Sequence, residues 1–387
     1  MNKYKSLERS FSMANYYNYK YEELKKFCED AFEKFGFTHD DAAIITDVLL
    51  LSDLYGIESH GTSRLVKYHK DILAGMIKVD AVPETVFETP VSAVIDAHDG
   101  MGHVVAYHAT KLAIEKAKKL GMAFVTVRNS THYGIAGYYA KMAADEGLMG
   151  ISVTNTTAIM VPTFGRQAML GSNPLAISCP AEPYPFLFDA STSVITRGKV
   201  EVYNKLEKPL RDGWAIDSTG EPSSDAAEVF DCILKHKGGG ILPLGGYEEA
   251  TGSHKGYGYG MVVELLSSII SLGTPSSKTN MNGHSGICHG FLIIDPKIFG
   301  DADAIKAHLS GYLQELRDSA KAAGHDRIYT HGEKEIEAVG DRMENGIAVN
   351  EKTVAEMCEL ARHLGMDPAA YLGEKALEAK LGKQLYK

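Results

Sequence analysis

Arg64 and Tyr68 lie four residues apart in the string Glu58-Ser59-His60-Gly61-Thr62-Ser63-Arg64-Leu65-Val66-Lys67-Tyr68, so a helix begun at Ser63 or earlier puts both on one face. A guanidinium can grip a carboxylate through two parallel hydrogen bonds, and a phenol beside it can fix the orientation of what is bound. The same string also reads as a helix N-cap followed by a surface pair, and in isolation that plainer reading has the better claim. A second candidate is Arg128-Asn129-Ser130-Thr131-His132-Tyr133-Gly134, directly after a β-rich run at residues 123–127. Ligands of open α/β sheets collect beyond the carboxyl ends of strands, and an imidazole placed there can give a proton to a developing alkoxide near neutral pH. A loop histidine bonded to backbone is the structural alternative for His132.

Three further groups carry weaker signals. Thr154-Asn155-Thr156, Gly171-Ser172-Asn173-Pro174 and Phe188-Asp189-Ala190-Ser191-Thr192-Ser193 put small hydroxyl and amide side chains beside β-rich runs. Such groups suit the ribose and phosphates of a nucleotide, but turns and N-caps use the same residues. The run Gly238-Gly239-Gly240-Ile241-Leu242-Pro243-Leu244-Gly245-Gly246 precedes Ser253-His254-Lys255-Gly256-Tyr257-Gly258, where glycines admit a ligand or another backbone and Lys255 could meet an anion. A mobile surface loop is the alternative.

The elements that must position these groups follow from periodicity. Residues 21–35 read as an amphipathic helix stopped by Gly36, and Thr38 with Asp41 opens a second helix that ends near Gly56. A third is expected over about 63–73. From Pro90 the texture changes to short β-rich runs at 91–97, 123–127, 150–155, 175–179, 186–189 and 291–295, with helices expected at 103–120 and 261–271. Residues 235–258 read as glycine-rich connection and 276–285 as a polar loop. The chain is helical again over 302–323 and 353–364. The organisation expected is a leader at 1–18, a helical domain from 19–89 plus 300–387 that contributes substrate contacts, and an α/β cofactor-binding domain at 90–299.

Composition narrows the function. Forty Lys+Arg against 50 Asp+Glu leave a net charge of −10, which argues against nucleic acid or an anionic membrane as partner. Five scattered cysteines show neither metal spacing nor a disulfide framework, and no metal site is expected, so a reducing cytoplasm fits best. The G-x-G-x-x-G fingerprint of Rossmann enzymes is missing; its nearest string, Gly256-Tyr257-Gly258-Tyr259-Gly260, is wrong at the third glycine. Walker A, H-E-x-x-H and G-x-S-x-G patterns are missing too, so a hydrolase built on Ser59 or Ser130 has no elbow to support it.

Taken together, the ordered strings resemble the type 2 malate/L-lactate dehydrogenase family, which also holds sulfolactate, ureidoglycolate and diketogulonate enzymes. They are Glu58 to Arg64 with Tyr68, Asn129 to Gly134, Leu170 to Ala176, Asp189 to Ser193 running into Arg197-Gly198-Lys199, Asp212-Gly213-Trp214-Ala215-Ile216-Asp217, and His254 to Gly258. The resemblance implies a non-Rossmann α/β fold with a mixed central sheet, a helical part formed from both chain ends, a homodimer, and binding of NAD or NADP without the glycine fingerprint. It implies hydride transfer between a small 2-hydroxy carboxylate of malate or lactate type and its 2-oxo acid. By the same resemblance His132 is the general acid/base, with His60 as the competing candidate, and Arg64 and Tyr68, with Ser59 beside them, contact the substrate. Thr154, Asn155, Thr156, Asp189, Ala190, Ser191, Thr192, Leu242, Pro243, His331, Gly332 and Glu333 are the implied cofactor contacts. The family commonly has Pro-Gly-Glu where this chain reads His331-Gly332-Glu333, a change in stiffness and charge that loosens the carry-over at that point. A nucleotide-binding module without catalysis is the reading of a different class, needing neither Arg64 nor a proton donor.

Overall fold

The structure is a computed structural model that describes residues 16–382 and 384–386. Its strands are β1 (Tyr16–Tyr19), β2 (Glu84–Thr89), β3 (Ser92–Asp96), β4 (Met122–Ser130), β5 (Met149–Thr154), β6 (Leu175–Cys179), β7 (Phe186–Ala190), β8 (Ala215–Ile216), β9 (Gly240–Ile241), β10 (Ile287–Ile294) and β11 (Ile347–Asn350). The chain divides into two compact units, one of residues 16–72, 181–186 and 302–386, the other of residues 73–180 and 187–301.

The first unit is helical. Leu24, Phe27, Ala31 and Phe32 on the helix Tyr21–Phe35, and Ile45, Leu49 and Leu50 on the helix His39–Leu54, are completely buried, because each sequence repeats an apolar residue at helical spacing. The expected punctuation is in place: Gly36 ends the first helix at φ 109, and the Thr38 hydroxyl caps the second by accepting from Asp41 N at 3.2 Å. Residues 1–15 of the expected leader lie outside the described residues. Its last three do not form a leader: Tyr16, Tyr17 and Asn18 lie in β1, which pairs antiparallel with β11 from the far end of the chain. That pairing satisfies their backbone, which no local pattern signals.

The second unit holds a seven-stranded sheet in the order β2-β3-β4-β10-β5-β6-β7. The β3–β4 pair is parallel, whereas β2–β3, β4–β10, β10–β5 and β5–β6 are antiparallel, so the sheet is mixed. The strand late in sequence, β10, lies between β4 and β5, and its residues 287–291 are all buried. The helix Gly102–Leu120 packs on β4 and β10 through Ala106, Ala109, Ala113 and Ala117, whose small side chains let it lie close to the sheet.

Two expectations need correction. Residues 73–89 belong with the sheet unit because β2 pairs with β3, and 181–186 belong with the helical unit. The string from Ser253 to Gly258 is not loop but the start of the helix Ser253–Glu264. Its glycines serve close approach: a Cβ on Gly256 would overlap the Leu244 backbone, which crosses the helix there.

Candidate functional site

In the helical unit the segment after Gly56 makes two successive 3₁₀ turns, Glu58–His60 and Thr62–Arg64, and runs straight into the helix Leu65–Leu73. Asp53, near the end of the preceding helix, fixes the segment from below. Its Oδ2 accepts from Thr62 N at 2.8 Å, and a Cβ on Gly61 would land on its carboxylate, so only glycine fits there. Burial pushes Asp53 up to about 7, outweighing the donation from Thr62.

On this base Ser59, His60 and Arg64 come together. Ser59 Oγ and His60 Nδ1 are 2.9 Å apart, and Arg64 Nε donates to the Ser59 carbonyl. Burial, helped by the Arg64 charge, pushes His60 down to about 4. Tyr68 follows one turn on and is fully buried, with burial pushing its hydroxyl up, so the plainer reading of a surface pair does not describe these residues.

His331-Gly332-Glu333 also belongs to this unit, with Gly332 at φ 98 as N-cap of the helix Glu333–Asn345. The Glu333 carboxylate is completely buried and committed to the protein. It accepts from Arg317 Nε, from Arg327 Nη2 at 2.8 Å and from the Thr330 amide at 3.1 Å. Burial alone would raise it, but these bonds outweigh burial and bring it down to about 2. Two arginines thus occupy the Glu333 side chain, and the His331 ring meets that of Phe186 edge-on with centroids 5.6 Å apart.

In the sheet unit His132 follows β4 and is partly exposed. Gly102 backs it: a Cβ there would overlap the carbonyl oxygens of Thr131 and His132, and Gly102 N donates to Thr131 Oγ1 at 2.8 Å. Gly134 N donates to His132 Nδ1 at 3.3 Å, which leaves the proton of the neutral ring on Nε2.

A residue that sequence reasoning missed joins the strand ends. His289 on β10 is buried, sits between Thr154 Oγ1 at 2.9 Å and Ser130 Oγ at 3.0 Å, and stacks on Tyr133 with ring centroids 4.4 Å apart. Burial pushes it down to about 3, so it is a neutral brace. Nothing in its apolar strand context marks it as such. Asp96 on β3 was also missed; it accepts from Arg128 Nε at 2.9 Å and Asn129 Nδ2 at 2.8 Å and so pins the end of β4.

The expected cofactor residues of this unit are brought together. Thr192 N donates to Ser172 O at 2.8 Å, Leu244 N to Thr192 O at 3.0 Å and Val194 N to Leu242 O at 2.9 Å, which draws residues 171–173, 189–194 and 242–244 side by side. Thr156 Oγ1 accepts from Ser172 N at 3.0 Å and is partly exposed, as are Ala190 and Ser191. Asp189 Oδ2 accepts from Gly137 N, in the first turn of the helix Ala136–Asp145, at 2.6 Å. Thr154 and Asn155 are buried: Thr154 Oγ1 donates to Cys288 O at 3.0 Å, and Asn155 Oδ1 accepts from Cys288 N at 2.8 Å while its Nδ2 donates to Thr274 O at 2.9 Å. Leu242 lines an open cleft of about 500 Å³ together with Phe164, Arg166, Tyr247, Glu248 and Ser253. Lys255 is exposed.

The chain is similar to known dehydrogenases in sequence and in fold. The family described as malate/L-lactate dehydrogenase matches residues 19–358. A malate dehydrogenase of Pyrococcus abyssi is 42% identical over 361 residues, 93% of this chain and 98% of its own length. An L-sulfolactate dehydrogenase of Methanocaldococcus jannaschii is 34% identical, over 91% of this chain and 98% of its own. The crystal structure of a malate dehydrogenase from Entamoeba histolytica superposes with a TM-score of 0.87 at 37% identity, covering 91% of this chain and 99% of that one.

Proposed function

The chain belongs to the malate/L-lactate dehydrogenase family, and from that premise we propose that it is an oxidoreductase that uses NAD or NADP to interconvert a small 2-hydroxy carboxylate, malate first, with its 2-oxo acid. When bound, the nicotinamide supplies or takes the hydride. The residues present fit such a group: partly exposed Thr156 and Ser191 offer hydroxyls, and the cleft at Leu242 is large enough for part of a dinucleotide.

The chain's own work is positioning and proton transfer. Arg64, anchored through Nε on the Ser59 carbonyl, holds the substrate carboxylate, and the buried Tyr68 one turn on is the second substrate contact. His132 gives the proton to the carbonyl oxygen during reduction and takes it back during oxidation. The observation that favours His132 over His60 is that burial and the Arg64 charge hold His60 down to about 4, so at neutral pH it lacks the imidazolium proton that a general acid gives, whereas His132 is partly exposed just beyond the end of β4.

The same reading takes the protein to be a cytoplasmic homodimer. Among the described residues no helix is long and apolar enough to cross a membrane. Tyr259, Val262, Leu265 and Ile269 stand exposed along one helical face, a patch that a second copy would cover.

The test is the loss of reduced-nicotinamide absorbance when oxaloacetate, pyruvate and other 2-oxo acids are offered with NADH and NADPH side by side. Oxidation with at least one pair is expected, and His132→Ala should lower kcat by about 10²–10⁴-fold while leaving reduced-cofactor affinity in place. A wild-type protein that oxidises neither cofactor would exclude the redox reading, and an unaltered kcat in the variant would remove His132 from its role.

A further inference from the structure

Glu264, the last residue of the helix Ser253–Glu264, is 4% exposed and has no part in the chemistry above. Donors surround both of its oxygens. Oε1 accepts from Ser268 Oγ at 2.7 Å, Ser276 N at 2.8 Å and Asn155 Nδ2 at 3.3 Å; Oε2 accepts from Ser276 Oγ at 2.7 Å and Asn173 Nδ2 at 2.9 Å. None of these donors is charged. A buried carboxylate held only by neutral donors is costly unless nearly every lone pair is met, and here the ring of donors meets that demand.

The arrangement does more than satisfy a charge. A carboxylate ringed by donors only accepts, so each asparagine facing it must turn its NH₂ inward and its carbonyl oxygen away. For Asn155 the freed Oδ1 accepts from Cys288 N at 2.8 Å, and its Nδ2 also reaches Thr274 O at 2.9 Å. For Asn173 the freed Oδ1 accepts from Thr156 N at 3.2 Å. Asn173 sits at φ 38, a left-handed conformation that a side chain rarely adopts without tethers, and the packing there is tight, since a Cβ on Gly171 would overlap Thr156. A relay thus runs from Glu264 through the orientation of Asn173 to the backbone of Thr156, and Thr156 Oγ1 in turn holds Ser172 N.

We propose that Glu264 is a positioning residue for cofactor binding: an acceptor-only anchor that locks the amide orientations of Asn155 and Asn173 and thereby shapes the loop surface at Thr156 and Ser172 that receives the dinucleotide. The inference rests on the dehydrogenase reading and on Thr156 as a cofactor contact.

Glu264→Gln tests it, because the side chain keeps its size while one acceptor becomes a donor that must face Asn173 Nδ2 or the donors on the other oxygen. A buried donor left unsatisfied costs enough that Kd for the reduced cofactor, read by fluorescence titration, is expected to rise about 10–100-fold. The cofactor KM should rise in step, with kcat and the 2-oxo acid KM essentially unchanged and the far-UV circular dichroism intact. Unchanged cofactor affinity with a lowered Tm would overturn the proposal in favour of a purely structural role, as would equal losses for cofactor and 2-oxo acid. Should Glu264→Gln not fold, Asn173→Ala cuts the relay one link further and must weaken the cofactor in the same way; folded Asn173→Ala with wild-type affinity would overturn it equally. Wild-type protein that binds neither NADH nor NADPH would remove the dehydrogenase reading and this one together, whereas a binding wild type with an equally binding Glu264→Gln removes this one alone.

Discussion

At the scale of single residues the helical unit carries an ionisation that has to appear in its stability. Asp53 titrates near 7 when folded, against an ordinary value of 3.8, because burial disfavours its charge more than the Thr62 amide favours it. Between those two values the folded chain holds a proton that the unfolded chain has released. Stability therefore falls as pH rises from about 4 to about 7, the direction opposite to that of a salt-bridged carboxylate. Asp53→Asn removes this titration while keeping an oxygen for Thr62 N. Its stability relative to wild type should climb across that range by something on the order of a few kcal/mol, read as the difference in denaturant midpoints at pH 4.5 and pH 8. A difference that does not change with pH would show that Asp53 ionises freely. Residue types and spacing made Arg64, His60 and His132 visible. Their environment was not visible: whether His60 is held neutral, or Glu333 saturated by Arg317 and Arg327, depends on groups distant in sequence.

Among the elements, the helix Ser253–Glu264 departs furthest from local preference. It contains Gly256, Gly258 and Gly260, each costing roughly 1 kcal/mol against alanine in a helix interior, so propensity alone argues for loop. Packing overrides it, because the Leu244 backbone crosses at Gly256 and the Met160 side chain presses on Gly260. The two substitutions Gly256→Ala and Gly258→Ala should therefore part company. Among the described residues nothing lies within 4 Å of a Cβ on Gly258, so alanine there is expected to stabilise by about 0.5–1 kcal/mol. At Gly256 the overlap with backbone should outweigh that gain and cost about 1–3 kcal/mol. Thermal melts of the two variants check this, and equal Tm shifts of the same sign would mean that the crossing is looser than described. The helices Tyr21–Phe35 and His39–Leu54 were legible because their apolar spacing, caps and stops agree; β1 was not, since it pairs with β11 from the far end of the chain.

For the molecule as a whole, the homodimer reading makes a prediction of mass. Sedimentation equilibrium should give twice the chain mass, and Ile269→Glu, on the exposed apolar face, should shift it toward the monomer without loss of secondary structure. A monomeric wild type would exclude that part of the reading. The sequence by itself determined the class of the fold, the helices at both chain ends, the absence of a Rossmann fingerprint and the residues able to do acid/base and carboxylate chemistry, because periodicity, capping and side-chain chemistry are local properties. Only the tertiary structure decided that β10 enters the sheet between β4 and β5, that His289 braces Ser130 and Thr154, that Thr154 and Asn155 are buried where Thr156 is partly exposed, and that Glu264 gathers three loops. Strand edges and buried polar atoms take partners from anywhere in the chain, and the cost of leaving such a group unpaired, rather than any nearby pattern, selects which partner is found.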